Sequence, residues 1–250
     1  MSTPTILLFD IDRTLIDNGG AGRRAMERGL QGVLGGPANE RWLDFELGGL
    51  TDVLIVREAL GRGTTSGAGS STLQGGSAAR EPVASVIEAY LSALDQELST
   101  PEAAREYVVY PGVVPLLSRL TGLGRVAVGL GTGNVEPGAR LKLRPGDLNR
   151  FFDFGGFGSD GVERSEVLAA GLERGARRLD LQLSRCRKVV IGDTPRDVAA
   201  GLAVGACCIG VATGEYSAEQ LLRSGAHHAF ASLGAPGVEH ALLTDPGRLT

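Results

Sequence analysis

Asp10 and Asp12 stand two residues apart, directly after the apolar run Thr5–Phe9. In an extended chain two such side chains face the same way. A turn beginning after Asp10 would separate their roles, aiming one carboxylate at an electrophilic centre and the other at the leaving oxygen. A carboxylate nucleophile splits a displacement at phosphorus into two steps through an acyl phosphate. The second acid protonates the departing alkoxide, then deprotonates the attacking water. Asp193 and Asp197 follow another apolar run, in Gly192-Asp193-Thr194-Pro195-Arg196-Asp197. Carboxylates gathered in one place repel, and burying them without a cation is costly. An all-oxygen set suits Mg²⁺, which keeps waters and binds substrate phosphate as well. Asp10, Asp12, Asp193 and Asp197 are therefore the candidate metal set, with one of the last two acting directly and the other through water. In Gly131-Thr132-Gly133-Asn134, the Thr132 hydroxyl and the neighbouring backbone N–H groups of Gly133 and Asn134 stand at a glycine-rich helix start, where a phosphate oxygen is welcome.

These clusters need elements that bring them together. The apolar runs Thr5–Phe9, Val126–Leu130, Val189–Ile191 and Cys207–Val211 do not alternate with polar residues, which favours buried strands of a parallel sheet. Amphipathic stretches separate them: Val113–Leu120, Pro137–Leu143, Glu163–Leu179 and Arg196–Val204. Strands alternating with helices give an α/β fold, and ligands of such sheets bind beyond the carboxyl ends of the strands. All three clusters fall at those ends. Residues 18–110 break the rhythm, with helical patterns over Ala21–Leu34, Asp52–Leu60 and Val83–Leu98 and no strand. Gly61–Arg80, rich in Gly, Ser and Thr, reads as a mobile loop. Pro111-Gly112 marks the return to the α/β pattern. The expected architecture is a Rossmann-like parallel-sheet core (residues 1–17 and 111–250) with an inserted all-helical cap domain (residues 18–110).

Composition removes other classes. The net charge is −4 and there is no basic run, so nucleic acid is not an expected partner. No apolar stretch reaches the roughly 20 residues that span a bilayer, and MSTPTILLFD lacks a basic signal-like start; a cytoplasmic enzyme is expected. Three cysteines without CxxC spacing argue against a zinc or disulfide framework. Gly129, Gly131 and Gly133 lack the GxGxxG spacing of a dinucleotide loop. His227, His228 and His240 have no GxSxG serine to serve.

Asp10-x-Asp12-x-Thr14, the strand-end Thr132 and Gly192-Asp193-x-x-x-Asp197 resemble motifs I, II and IV of the haloacid dehalogenase-like hydrolases. Their order and the insert after motif I resemble the phosphoglycolate phosphatase-like group with a helical cap. The resemblance implies a Mg²⁺-dependent phosphatase acting on a small phosphorylated metabolite. It implies Asp10 as nucleophile and metal ligand, and Asp12 as acid/base with a metal-binding backbone carbonyl. Thr132 would bind phosphate and Asp193 the metal. The chain departs from the pattern at three places. Arg13 stands where Gly is usual, Leu50 where relatives carry Arg, and the Lys-Pro of motif III is missing. Only two lysines exist, Lys142 and Lys188. Lys188 begins a strand at the wrong sheet edge, so Lys142 is the candidate catalytic and phosphate-binding cation, with Arg164 second. Asp12 argues against dehalogenation, and a lysine-free insert against phosphonate cleavage through a Schiff base. A sugar-phosphate mutase and a non-catalytic binding protein on the same fold remain alternatives. Gly19, Gly20 and Pro111-Gly112 are candidate hinges for a cap closing over the site, and Arg23 and Arg57 candidate contacts to an anionic substrate.

Overall fold

The computed structural model describes residues 3–35, 40–64 and 80–244. In chain order its elements are β1 Thr5–Phe9, β2 Ile16–Asp17, α1 Ala21–Leu34, α2 Asp52–Thr64, α3 Arg80–Leu98, α4 Pro101–Glu106, β3 Val108–Val109, α5 Val113–Thr121 and β4 Val126–Gly131. They continue with α6 Glu136–Leu143, β5 Gly155–Gly156, α7 Arg164–Arg178, β6 Arg187–Gly192, α8 Pro195–Ala203, β7 Cys207–Val211, α9 Ala218–Arg223, β8 His228–Phe230 and α10 Val238–Leu243.

Six strands form one parallel sheet in the order β5-β4-β1-β6-β7-β8. Central β1 is buried along its whole length, as its uninterrupted apolar run requires. Successive side chains point to opposite faces. Leu7 and Phe9 join Val128, Leu130, Val189 and Ile191 in a core covered by α5, α6 and α10. Ile6 and Leu8 join Ala127 and Val190 in a second core under α7 and α8. The register places Phe9 level with Leu130 and Ile191. Asp10, Thr132 and Asp193 therefore lie just past the ends of three adjacent strands.

Residues between β2 and β3 build a helical layer with its own apolar core, in which Met26 and Leu30 of α1 meet Val56 of α2 and Tyr90 and Leu94 of α3. The two chain crossings pair with each other. β2 and β3 form an antiparallel ribbon with Ile16 opposite Val109 and Asp17 opposite Val108. The expectation of no strand within 18–110 is thus corrected, because a two-residue strand is too short to show a period. Helix α2 also runs past its expected end to Thr64. The part of the expected loop from 65 to 79 lies outside the described residues. Gly19, Gly20 and Gly112 all adopt positive φ. At Gly112 a Cβ would also collide with the backbone of Gly234. Among the described residues no helix is long and apolar enough to cross a membrane, and no disulfide links the cysteines.

Candidate active site

The end of β1 sets the two leading carboxylates apart. The Asp10 N–H still donates to the Ile191 carbonyl at 2.9 Å, and the chain then turns, with Leu15 N–H donating to Ile11 at 2.9 Å. Asp10 ends on the side of α7 and Asp12 on the side of α6. Both line a cavity of about 280 Å³ between the sheet edge and the helical layer, which Asn18, Tyr90, Thr132 and Asp193 also line.

Asp10, Asp193 and Asp197 each place a carboxylate oxygen within 4.8 Å of the others, all three buried. Burial first, then the Asp197 charge, drive Asp193 up to about 9. Burial also raises Asp10, to about 6, against the opposing charge of Arg164. A buried, oxygen-only cluster that resists its own ionisation fits a hard divalent cation such as Mg²⁺. Asp197 serves α8 as well, in a capping box: its N–H donates to Thr194 Oγ1 at 3.2 Å, and the Thr194 N–H donates back to Asp197 Oδ2 at 3.2 Å.

Arg164, the first residue of α7, holds this cluster from the other side. Its Nη2 donates to Asp10 Oδ1 at 2.8 Å, Asp197 Oδ1 at 2.8 Å and the Gly131 carbonyl at 2.9 Å. Lys142 lies nearly two turns into α6, and its Nζ reaches Asp12 at 2.7 and 2.9 Å. The order expected from sequence is therefore reversed: Arg164 meets Asp10, and Lys142 meets Asp12. Helix α6 carries Lys142 to the far side of the cavity, whereas the loop before α7 delivers Arg164 onto the end of β4. The scarcity of lysine drew attention to Lys142, whereas the cation beside Asp10 is Arg164. The useful signal was an arginine opening a long amphipathic helix on the carboxyl edge. Lys188 lies opposite Ile6 near the start of β1, at the far edge as expected.

Asp12 is held from three directions. Besides Lys142, Asn134 Nδ2 donates to its Oδ2 at 2.8 Å and Asn18 Nδ2 to its Oδ1 at 2.9 Å. Burial acts to raise its carboxyl, but the Lys142 charge and the Asn134 and Lys142 bonds prevail and hold it below the usual range. Asn134 also donates to Thr132 Oγ1 at 2.8 Å, which fixes the hydroxyl as acceptor there and leaves its proton to point elsewhere. The Thr132 N–H itself is spent on the Gly156 carbonyl at 3.0 Å. Gly133 passes so close to the Leu50 carbonyl that a Cβ would collide with it. Two contributors were missed from sequence. Asn18 sits just past β2, with nothing in its local pattern to mark it. Asp52, noted only within Thr51-Asp52, is buried, accepts from the Val135 N–H at 2.9 Å, and is raised by burial to about 6 despite nearby Lys142. His227 lies away from this edge, its Nδ1 accepting from the Cys208 N–H at 3.0 Å.

A family model for haloacid dehalogenase-like hydrolases matches residues 4–205. The chain belongs to this family. Haloacid dehalogenase-like folds are also what it resembles among solved structures. CbbY from Rhodobacter sphaeroides in complex with phosphate aligns with a TM-score of 0.66 at 18% identity, covering 96% of this chain and 99% of that one. A hydrolase from Pseudomonas syringae gives 0.62 at 19%, covering 92% and 94%. A predicted phosphoglycolate phosphatase from Haemophilus somnus 129pt gives 0.62 at 16%, covering 94% and 96%. At these identities the likeness is one of fold. No curated protein matches the sequence.

Proposed function

We propose that this haloacid dehalogenase-like hydrolase is a Mg²⁺-dependent phosphatase that cleaves a small phosphate monoester through an aspartyl-phosphate on Asp10. The observation that carries the reading is the division of one cavity. Asp10 sits among Arg164, Asp193 and Asp197, while Asp12 sits among Lys142, Asn134 and Asn18. Two carboxylates in opposed environments are the mark of a nucleophile and an acid/base.

In this reading an Asp10 oxygen bonds to phosphorus as the bond from phosphorus to the ester oxygen breaks. Asp12 passes a proton to the leaving alkoxide; an ester bound as its monoanion brings that proton, since the second phosphate pKa is about 6. Asp12, again a carboxylate, then takes a proton from the water that attacks phosphorus. The bond to Asp10 breaks and phosphate leaves. Arg164 offsets charge between Asp10 and the incoming phosphate, the role first assigned to Lys142. Lys142 orients Asp12 instead. The Thr132 hydroxyl, accepting from Asn134, has its proton available to a phosphate oxygen. Asp10, Asp193 and the Asp12 carbonyl would hold Mg²⁺, with Asp197 behind them, and the ion would supply positive charge that lets Asp10 and the phosphate monoanion approach. A cavity of about 280 Å³ suits a leaving group of a few carbons.

The test is phosphate release from a panel of small alkyl and sugar phosphates, with Mg²⁺ and with EDTA. Release with Mg²⁺ that EDTA abolishes supports the proposal. Release from no member of the panel overturns it, and interconversion of a sugar phosphate without release assigns a mutase.

A further inference from the structure

Among the described residues other than glycine, Arg13, Asp147 and Asp180 have positive φ. Aspartate tolerates that region because its short side chain bonds locally; arginine has no such compensation. Arg13, at φ 59°, is held there from both sides. Its N–H donates to the Ile16 carbonyl at 2.8 Å, and its carbonyl accepts from the Thr213 hydroxyl. The turn after β1 thus puts a left-handed residue directly after Asp12, and the chain places a large cation where glycine would sit without strain.

That cation lines the cavity. The other cationic side chains lining it are committed. Lys142 and Arg164 are buried on carboxylates, and Arg23 bonds Glu27 and the Leu43 carbonyl. The Arg13 guanidinium, with its side chain 51% exposed, makes a loose 3.7 Å ion pair with Asp17. Asp17 in turn already accepts from the Gly19 N–H at 2.9 Å.

We propose that Arg13 is a specificity-determining residue that binds a second anionic group, a carboxylate, on the leaving group of the phosphate ester. This rests on the phosphatase reading and narrows its substrate class. A planar guanidinium at the cavity wall matches a carboxylate in two parallel hydrogen bonds, and the backbone strain at Arg13 is retained for that contact.

The experiment compares two esters of equal carbon number, phosphoglycolate and ethyl phosphate, on wild type, Arg13→Gly and Arg13→Lys. The readout is the ratio of kcat/KM for the two. In Arg13→Gly the preference for phosphoglycolate falls roughly tenfold or more, carried by KM, as loss of one charge-assisted contact implies. Arg13→Lys keeps part of it. The thermal midpoint of Arg13→Gly rises, on the order of 2 °C, as the strain is released. An unchanged ratio, or a midpoint that falls, overturns the proposal. If neither ester is hydrolysed, the phosphatase reading fails separately, and calorimetric titration decides for Arg13. Selective weakening of phosphoglycolate binding in Arg13→Gly supports it, and equal binding by the two proteins overturns it.

Discussion

Arg164 and Lys142 are both buried cations bound to carboxylates, yet removing them should have different consequences. Arg164 ties Asp10 to Asp197. Arg164→Ala leaves two buried carboxylates uncompensated, which costs about 3–5 kcal/mol of stability and, if the protein remains folded, phosphate release as well. Chemical denaturation and steady-state rates would separate the two effects. Lys142→Met keeps the volume of the stem and removes the charge on Asp12. The expected result is a kcat lower by about 10²–10⁴ with little change in KM; a large KM change with kcat intact would move Lys142 from orienting Asp12 to binding phosphate. At this scale the sequence was readable wherever a residue's chemistry depends on its place at a strand end. Asp10, Asp12, Thr132 and Asp193 all followed from that. The pairing of Arg164 with Asp10 and of Lys142 with Asp12 did not, because which cation reaches which carboxylate depends on how far a helix carries the side chain from the strand before it, and Asn18 stands in no such pattern.

Among the elements, β1, β4 and β6 matter most, because their aligned ends assemble the site. Their buried apolar runs made them legible. β5 is Gly155-Gly156 and has no side chains to form a pattern. β8, His228-Ala229-Phe230, is only half-buried, so it lacks the continuous run that marks a central strand. The β2–β3 ribbon exists only through tertiary pairing. Segment 50–52, leading into α2, is clamped to the loop after β4: Asp52 N–H donates to the Gly133 carbonyl at 2.8 Å, and Val135 N–H to Asp52 at 2.9 Å. Gly133→Ala would drive a methyl group into the Leu50 carbonyl. Overpacking of this kind costs about 1–3 kcal/mol, and the displaced loop carries Asn134 with it. Thermal melts should show the lower stability, and kcat/KM should fall with it; a neutral substitution would show that the clamp yields without disturbing the site.

For the molecule as a whole, core and helical layer meet around one charged cavity. Besides the Asp52 clamp, Arg196 donates to the Gly48 carbonyl, Tyr216 to Glu46 at 2.5 Å, and Thr51 to the Val162 carbonyl at 3.2 Å. The carboxylates at the cavity floor link global stability to pH. Asp10 and Asp193 have folded values raised to about 6 and about 9, from 3.8. Their burial therefore favours the neutral forms, and without metal the stability they allow is lost as pH rises from about 4 through 9. In the proposed metal site Mg²⁺ would bind the ionised forms, so its stabilising effect would grow with pH over that window. Thermal midpoints with Mg²⁺ and with EDTA should diverge from pH 6 to pH 9; parallel curves would exclude a metal held by these residues. The most direct test of the whole account is the rate of Mg²⁺-dependent phosphate release by Asp10→Asn beside wild type. The amide keeps the shape and can still accept from Arg164, so the variant should fold. A carboxamide is no nucleophile, and a loss of roughly 10³-fold or more is expected. Release within a few-fold of wild type would contradict an aspartyl-phosphate on Asp10.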